Sequence, residues 1–350
     1  MKVLMCCSEL EKSKGGMVSV VRNYLEYKNW EDIDIIYVPT HTEGSRAEKA
    51  LFFAKSYLKI LWILLSAKPD AAHLHMSERG SFYRKAWILK LCRIFGIPVL
   101  LHHHGAEFED FYGKLSKRQK AYVVKILELA QQNLVLSRFL VPLLKQKAPN
   151  ANVQVLYNAV FVPDLNCYSE KNRNLLFLGR LGQRKGTYDL LRAIQLIDCE
   201  LDEDIRLNLC GDGEIQEVKD YIEKLGIGHR IGFIGWVSGN QKEKILESAM
   251  MNILPSYNEG FPMTILETMA KGIPNISTRV AAIPEMICSG TNGYLIEAGD
   301  WEILAERILQ LSRDTALRKR LSEAAYQTVS ERYSIEENIR QLKKVYRELI

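Results

Sequence analysis

Residues 255–274 read Pro-Ser-Tyr-Asn-Glu-Gly-Phe-Pro-Met-Thr-Ile-Leu-Glu-Thr-Met-Ala-Lys-Gly-Ile-Pro, and they predict a polar turn followed by a helix. The preceding Met251–Leu254 is short and apolar, which is typical of the end of a buried strand. We expect the helix to begin at about Phe261, because Pro262 lacks the N–H group that a first helical turn leaves unpaired. A glycine and a proline at the far end stop the helix. Its N-terminus therefore lies at a strand end, where a ligand can reach it.

Two carboxylates frame this N-terminus: Glu259 lies just before it and Glu267 lies in its second turn. The unpaired N–H groups and partial positive charge of a helix N-terminus suit a phosphate or a sugar oxygen. Carboxylates suit hydroxyl groups, so a nucleotide sugar would use both features. The alternative is an acid that complements the helix dipole and an ordinary solvated glutamate.

The run from Asn258 to Pro274 resembles the signature of the retaining nucleotide-sugar glycosyltransferases of family 4, including members that assemble bacterial polysaccharides. The resemblance implies the GT-B fold, an α/β architecture of two Rossmann-like doubly wound domains that face a central cleft. It implies an acceptor-binding domain at residues 1–160, to which a helix at 336–350 crosses back. Residues 161–335 are then the nucleotide-sugar-binding domain.

Composition agrees with a two-domain globular protein, since the chain has 350 residues, of which 47% are apolar and 25% charged. Seven cysteines without a C-x-x-C pair indicate reduced thiols and a cytoplasmic setting. The chain opens on a strand, so we expect no signal peptide. Basic residues exceed acidic ones in residues 1–165 but not beyond. This imbalance favours an anionic surface or acceptor over nucleic acid, for which no motif is present.

A glycine turn follows the first predicted strand at Gly15 and Gly16 and leads into a helix. Such a turn lets backbone N–H groups approach a diphosphate, although most Gly-Gly pairs are simply turns. The resemblance assigns both glycines to the donor diphosphate or the acceptor.

A second strand-to-helix loop carries Arg180 and Lys185 directly after the buried strand Leu175–Leu178. Two fixed cations there can neutralise a diphosphate, the guanidinium as a fork and the ammonium as a point charge. A solvated basic loop is the alternative. The loop resembles the Gly-Arg and Lys-Gly pattern of the family, which implies that both cations are catalytic together with Glu259.

Histidines alternate along two neighbouring predicted strands, as His73 and His75 on one and His102 and His104 on the next. Each pair should share a face of the sheet. Zinc could lie between the pairs, but the spacing matches no standard ligand pattern, and we expect no metal. The resemblance implies that His104 lies by the reacting carbon of the donor sugar. The alternative is a hydrogen-bonded histidine at a strand end.

The remaining expected contacts follow from these elements. Donor contacts are assigned to Gly211, Gly213, Val237, Gly260, Phe261, Met263, Thr264 and Glu267. The glycines of 211–214 are expected to let the nucleotide approach the sheet edge. Acceptor contacts are assigned to His75, Arg79, Arg84 and Glu107, with the neighbouring Lys85 as part of a basic cluster for a lipid diphosphate.

The expected activity is metal-independent retaining transfer of a hexose or N-acetylhexosamine from a nucleotide sugar, with UDP favoured over GDP and with no other cofactor. The expected acceptor is a glycan, linked to a polyprenyl diphosphate, in capsule or O-antigen assembly at the cytoplasmic leaflet. A helix at Ala50–Ala67 could cover either the sheet or a lipid surface, and packing on the sheet is favoured. A basic helix at Ser116–Gln132 could rest on the cytoplasmic leaflet. A GT-B epimerase, a phosphorylase and a non-catalytic nucleotide-sugar-binding subunit remain alternatives.

Overall fold

The computed structural model describes every residue from Met1 to Ile350. It divides into two compact units. Unit 1 consists of Met1–Ala159 with Ile335–Ile350, and unit 2 consists of Val160–Ser334. The sequence placed the domain boundary at residue 160 and assigned the final helix to the first domain.

Unit 1 is built on one parallel sheet. Its strands are β1 (Lys2–Cys7), β2 (Asp34–Pro39), β3 (Ala71–Met76), β4 (Val99–His103), β5 (Gln132–Val135) and β6 (Val153–Val155). They lie in the order β2-β1-β3-β4-β5-β6. The chain therefore leaves β1 on one side and continues through β3 on the other, which creates a topological switch point between β1 and β3. Ligands of doubly wound sheets bind beyond the carboxyl ends of the strands at such a point.

Helices cover this sheet and bury its strands. They are α1 (Gly16–Glu26), α2 (Arg46–Ser66), α3 (Gly80–Ile94), α4 (Phe108–Gly113), α5 (Lys117–Leu129) and α6 (Leu140–Lys147). Every residue of β3 and β4 is buried, as expected for strands covered on both faces. Leu74 and Leu101 pack in the core beside the histidines of the same strands.

Unit 2 has a second parallel sheet of six strands. They are β7 (Asn174–Leu178), β8 (Arg206–Cys210), β9 (Ile231–Gly235), β10 (Ala249–Leu254), β11 (Asn275–Thr278) and β12 (Gly293–Ile296). Their order is β12-β11-β10-β7-β8-β9, so the direction of winding reverses between β7 and β10. The loops that follow β7 and β10 are therefore neighbours at the switch point of this sheet.

The helices of unit 2 are α7 (Thr187–Leu196), α8 (Ile215–Leu225), α9 (Gly239–Glu247), α10 (Met263–Ala270), α11 (Ile283–Met286), α12 (Trp301–Arg313) and α13 (Thr315–Arg332). The last helix of the chain, α14 (Ile335–Glu348), belongs to unit 1. None of the helices combines the length and the apolar character that a membrane crossing needs.

Several predicted boundaries were wrong. The helix expected from Phe261 begins at Met263, because Pro262 keeps an extended ψ of 117° and precedes the first turn. Residues 301–332 form two helices rather than one, because the carboxylate of Asp314 accepts the N–H of Leu317 at 2.8 Å and begins a new helix.

Other differences concern polar segments. The basic helix expected at 116–132 ends at Leu129, since Gln132 already pairs with β4 as the first residue of β5. The helices α8 and α9 were not predicted at all. Both are largely polar, and α9 buries only Leu246.

Candidate active site

The two loops at the switch point of unit 2 are packed against each other through their backbones. Gly186 closes the loop after β7 in the left-handed conformation, with φ of 71°. A Cβ atom on Gly186 would lie 2.0 Å from the carbonyl oxygen of Pro255, the residue that follows β10. The N–H of Tyr257 also donates to the carbonyl oxygen of Arg184 at 2.9 Å. Only glycine at 186 allows the cation-bearing loop to approach the loop of Glu259 this closely.

This packing brings Lys185 to Glu259. The ammonium of Lys185 donates to Oε1 of Glu259, and the hydroxyl of Ser256 donates to the same oxygen at 2.8 Å. The side chain of Glu259 is only 6% exposed and that of Lys185 is 15% exposed. The sequence singled out both residues but not Ser256, whose part in fixing the carboxylate follows from the fold.

The N-terminus of α10 begins four residues after Glu259. Its N-cap residue Pro262 supplies no side-chain hydrogen bond, so the first N–H groups of α10 have no capping side chain. Phe261 is buried and packs against the ring of Tyr333, with ring centroids 5.6 Å apart. Of the predicted donor contacts here, Gly260 and Thr264 are partly exposed, whereas the side chains of Phe261 and Met263 are buried.

Glu267, in the second turn of α10, forms an ion pair with Lys242 of α9 at 2.8 Å. Both side chains remain partly exposed. Lys242 was missed because the polar α9 gave no clear helical pattern, and no signal in the sequence joined it to Glu267.

Arg180 differs from the other cations of the site. It is exposed, and its guanidinium forms no ion pair with a carboxylate. The neighbouring Arg184 instead donates to the carbonyl oxygen of Asn258 at 3.4 Å, which gives it a contact within the turn before Glu259. The charge of Arg180 is therefore open to a ligand.

The structure shows why glycine is required at Gly211 and Gly213, and the reason is not the one expected from the sequence. A Cβ atom on Gly211 would lie 1.8 Å from the carbonyl oxygen of Gly179, and one on Gly213 would lie 2.3 Å from that of Leu181. The backbone of the β7 loop occupies this space. These glycines serve loop packing, and their expected contact with a nucleotide stays a prediction. The side chain of Val237 is likewise buried in the core.

In unit 1 the four histidines lie side by side, as their alternation predicts. His75 of β3 is paired in register with His102 of β4. His73 and His102 are joined by a hydrogen bond of 3.1 Å between Nε2 and Nδ1, and His75 and His104 by one of 2.8 Å between Nδ1 and Nε2. The hydroxyl of Tyr346, on α14, lies 2.6 Å from Nδ1 of His73.

Burial keeps these imidazoles neutral. It lowers the pKa of His73 to about 3, and together with the charge of His103 it lowers the pKa of His104 to about 3. The pKa values of His75 and His102 are held well below the usual range by burial first and by the neighbouring histidines second.

Three of these rings, those of His73, His75 and His102, place one nitrogen each within 4.8 Å of the others, close enough to share a metal ion. The rings of His73 and His75 are stacked, however, with centroids 4.1 Å apart and planes 28° apart. Lone pairs in nearly parallel rings do not converge on one point, and two nitrogens of the group already pair with each other. The arrangement is that of a hydrogen-bonded stack.

The predicted acceptor residues do not form one basic cluster. His75 is fully buried and holds His104, so its expected contact with an acceptor is wrong in this structure. Arg79 is exposed but forms an ion pair with Glu107 at 2.9 Å. The charges of these two predicted acceptor residues therefore neutralise each other. Lys85 is only 2% exposed and donates to the hydroxyl of Thr40. Burial lowers the pKa of Lys85 to about 8.

Arg84 remains, together with a residue that the sequence did not suggest. Its Nε is buried without a hydrogen-bond partner. His41, which follows β2, is half-buried, and its pKa is lowered by burial first and by the charge of Arg84 second. Nδ1 of His41 lies 3.5 Å from the hydroxyl of Ser8, just after β1. Arg84 and His41 therefore lie near the carboxyl ends of β1 and β2.

The glycine turn after β1 is open. Gly15 has φ of 117°, which disfavours a side chain, and a Cβ atom there would meet nothing within 4 Å. Gly16 is the first residue of α1, whose N-terminus has no side-chain cap.

Two doubly wound units, with cations and carboxylates at the switch point of the second, define the GT-B class of glycosyltransferases. A crystal structure of Anabaena Alr3699/HepE in complex with UDP-glucose superposes with a TM-score of 0.79 and 17% identity, covering 100% of both chains. At this identity the likeness establishes the fold.

A family model described as glycosyl transferases group 1 matches residues 168–328. An uncharacterized glycosyltransferase of Methanocaldococcus jannaschii is 30% identical over 256 residues, which are 72% of this chain and 69% of that protein. The chain belongs to the group 1 glycosyltransferase family. N-acetyl-alpha-D-glucosaminyl L-malate synthase of Bacillus anthracis is 32% identical over 214 residues, 58% of this chain, and the match spans 55% of the length of that protein.

Proposed function

We propose that the protein is a retaining glycosyltransferase that moves a hexose or an N-acetylhexosamine from a nucleotide sugar, UDP-linked rather than GDP-linked, to a glycan acceptor. The observation that carries the proposal is the contact of Lys185 with Glu259 beside the open N-terminus of α10. One small region thereby offers a cation for a diphosphate, a carboxylate for sugar hydroxyls and helix N–H donors for anionic oxygens.

In the proposed reaction an acceptor hydroxyl oxygen bonds to the anomeric carbon while the bond from that carbon to the diphosphate oxygen breaks. The electron pair stays on the diphosphate, and the hydroxyl proton moves to a diphosphate oxygen on the same face, so the configuration is retained. Arg180, Lys185 and the N-terminus of α10 stabilise the leaving charge as it develops, without a divalent ion.

The carboxylates and the histidine orient the donor in this scheme. Glu259 accepts hydrogen bonds from hydroxyls of the sugar, and Glu267 accepts them from the ribose. His104 contacts the sugar near the reacting carbon. His75 acts as a positioning residue, because its hydrogen bond fixes the ring of His104.

For the acceptor we propose a glycan on a polyprenyl diphosphate, used in surface polysaccharide assembly of the capsule or O-antigen type at the cytoplasmic leaflet. Arg84, with a buried Nε that has no partner, and the adjacent His41 are the groups proposed to bind the acceptor phosphate. Nucleic acid is not proposed as a partner.

A second candidate acceptor is a small carboxylic acid. The relative from Bacillus anthracis is named N-acetyl-alpha-D-glucosaminyl L-malate synthase. A guanidinium such as that of Arg84 binds carboxylates as well as phosphates, so the same side chain serves either acceptor.

The test is incubation with labelled UDP-glucose, UDP-N-acetylglucosamine or GDP-mannose, with a polyprenyl-diphosphate-linked sugar, with L-malate, or with no acceptor. We expect release of UDP and labelled lipid only when the lipid acceptor is present. Labelled malate product would select the second candidate. Conversion of the sugar without acceptor would indicate an epimerase, a requirement for inorganic phosphate a phosphorylase, and binding without turnover a non-catalytic subunit.

A further inference from the structure

The helix α2 is apolar on two opposite faces. One face is buried against the sheet through Ile60, Ile63 and Leu64. On the other face four large apolar side chains are more than half exposed, namely Leu51, Leu58, Trp62 and Leu65. They are separated by seven, four and three positions, so they form one stripe along the helix. A helix that only covered a sheet would carry polar residues there.

The helix α3 extends this stripe. Trp87 is 57% exposed and Ile94 is 80% exposed, and they lie two turns apart on the outer face of α3. The ring of Trp87 contacts that of Phe53 on α2, with centroids 6.1 Å apart. We call the six exposed residues of the two helices the α2–α3 surface: Leu51, Leu58, Trp62, Leu65, Trp87 and Ile94. Nine large apolar residues of the chain are more than half exposed, and six of them lie on these two helices.

Positive charge surrounds the α2–α3 surface. Lys55 and Lys59 are exposed on α2, on one side of the stripe that contains Leu51 and Trp62. Lys90 and Arg93 are exposed on α3. The helices α2, α3 and α5 carry twelve Lys and Arg residues, of which only Lys85 is buried, against two Glu. Lys90 also connects α3 to α5, since its ammonium lies 4.5 Å from the centre of the Tyr122 ring.

We propose that the α2–α3 surface docks on an anionic lipid bilayer, with its leucines and tryptophans in the interface and its cations at the headgroups. Tryptophan is favoured at the level of the headgroups, and lysine can bury its stem while its charge reaches the phosphates. An apolar stripe beside cations is what binding to anionic lipid requires.

A second copy of this chain fits the surface less well. A two-fold symmetric contact places the same patch on both sides, and it would therefore bring Lys55, Lys59, Lys90 and Arg93 of one copy close to the same cations of the other. Like charges facing each other oppose such a contact, whereas anionic headgroups neutralise them.

Docking would give the site access to a lipid-linked acceptor, and that purpose rests on the proposed function. The docking itself does not depend on the proposed function. The experiment is co-sedimentation of the full chain with vesicles of phosphatidylcholine alone or of phosphatidylcholine with phosphatidylglycerol. We expect binding to the anionic vesicles that weakens with added salt. The variant Leu58→Glu/Trp62→Glu should bind about a hundredfold more weakly, because two apolar anchors are lost. The variant Lys55→Ala/Lys59→Ala should bind about thirtyfold more weakly.

The matched control is Leu165→Glu/Leu196→Glu, which changes two exposed leucines of unit 2 and should leave vesicle binding unchanged. All variants should keep the wild-type melting temperature and UDP affinity. Vesicle binding is measured without any transfer reaction, so a failure of the proposed transfer activity can be distinguished from a failure of docking. Absence of binding to anionic vesicles, or equal binding by the Leu58→Glu/Trp62→Glu variant, would overturn the proposal. A dimer in sedimentation equilibrium that this variant abolishes, without vesicle binding, would instead assign the surface to a second copy.

Discussion

The ammonium group of Lys185 lies against the carboxylate of Glu259, a residue 74 positions further along the chain. Ser256 donates to the same oxygen of that carboxylate, Oε1, at 2.8 Å. Two donors on one oxygen fix the orientation of a nearly buried group and leave Oε2 for a ligand. The pair forms because the loops after β7 and β10 meet at the point where the sheet of unit 2 reverses its winding.

The first prediction concerns the leaving group. Arg180→Ala and Lys185→Ala should each lower turnover by about 10²–10³, since each removes a cation that binds the diphosphate more tightly as its charge develops. Turnover is measured as UDP release at saturating donor. Arg173→Ala is the matched control, because Arg173 is an exposed arginine of unit 2 whose partner is Asp204 at 3.4 Å.

The two variants should differ in stability. Arg180 is exposed and has no carboxylate partner, so its variant should keep the wild-type melting temperature. Lys185→Ala leaves the buried Glu259 without its cation and should lower the free energy of unfolding by about 1–3 kcal/mol. Near-normal turnover in both variants would remove these cations from the site.

The second prediction concerns the ribose. Glu267→Ala should weaken UDP binding by about tenfold to a hundredfold in calorimetry, because a charged acceptor for ribose hydroxyls is lost. The control is Lys271→Ala, which breaks the similar exposed pair of Lys271 with Glu243 at 2.7 Å. Equal UDP affinity in wild type and Glu267→Ala would show that this carboxylate does not bind the ribose.

The third prediction concerns acceptor binding. Arg84→Ala should raise KM for the lipid-diphosphate acceptor by about tenfold or more while leaving UDP affinity unchanged, since it removes a charge-assisted contact. Arg79→Ala is the comparison, because Arg79 already pairs with Glu107 and is expected to have a smaller effect. An unchanged acceptor KM in Arg84→Ala would exclude this site.

The fourth prediction concerns pH. Burial lowers the pKa of His73 to about 3 and that of His103 to about 4, whereas a histidine in an unfolded chain titrates near about 6.5. Between these values the unfolded chain binds protons that the folded chain does not, so the free energy of unfolding falls as pH drops below about 6.5. Urea unfolding over this range measures it. His103→Gln should reduce the slope, and a midpoint that stays constant down to about pH 5 would contradict the prediction.

The fifth prediction concerns metal. Transfer activity should be unchanged by EDTA, because Arg180, Lys185 and the N-terminus of α10 are proposed to replace a divalent ion. Activity is measured before and after chelation and after addition of Mg²⁺ or Zn²⁺. Restoration of lost activity by Mg²⁺ would indicate a metal–diphosphate site, and restoration by Zn²⁺ alone would indicate the histidine stack.

Much of the fold could be predicted because its signals are local. Short apolar runs followed by glycine, and then by residues at helical spacing, marked most strands and helices. Alternation along β3 and β4 predicted which histidines share a face. The cations after β7 and the carboxylate after β10 lie at strand ends, where parallel sheets gather functional groups. The resemblance to the family assigned their roles.

The rest depends on contacts between distant residues. Arg84 and Lys85 are adjacent in sequence, but the inner face of α3 buries Lys85 beneath Thr40 and leaves Arg84 half-buried. Nothing local to Arg79 indicates that Glu107 neutralises it. Gly211 and Gly213 could be recognised as loop glycines, but the backbone that fills the space beside them lies on another loop.

The central claim is that the chain transfers a sugar from a nucleotide donor with retention. The most direct measurement is NMR of the product formed from UDP-glucose or UDP-N-acetylglucosamine and a polyprenyl-diphosphate-linked sugar, read at the anomeric proton. We predict stoichiometric UDP and a product with the α configuration of the donor, both formed about 10²–10³ more slowly by Arg180→Ala. A β-linked product, or consumption of the nucleotide sugar with no product on any acceptor, would contradict the account.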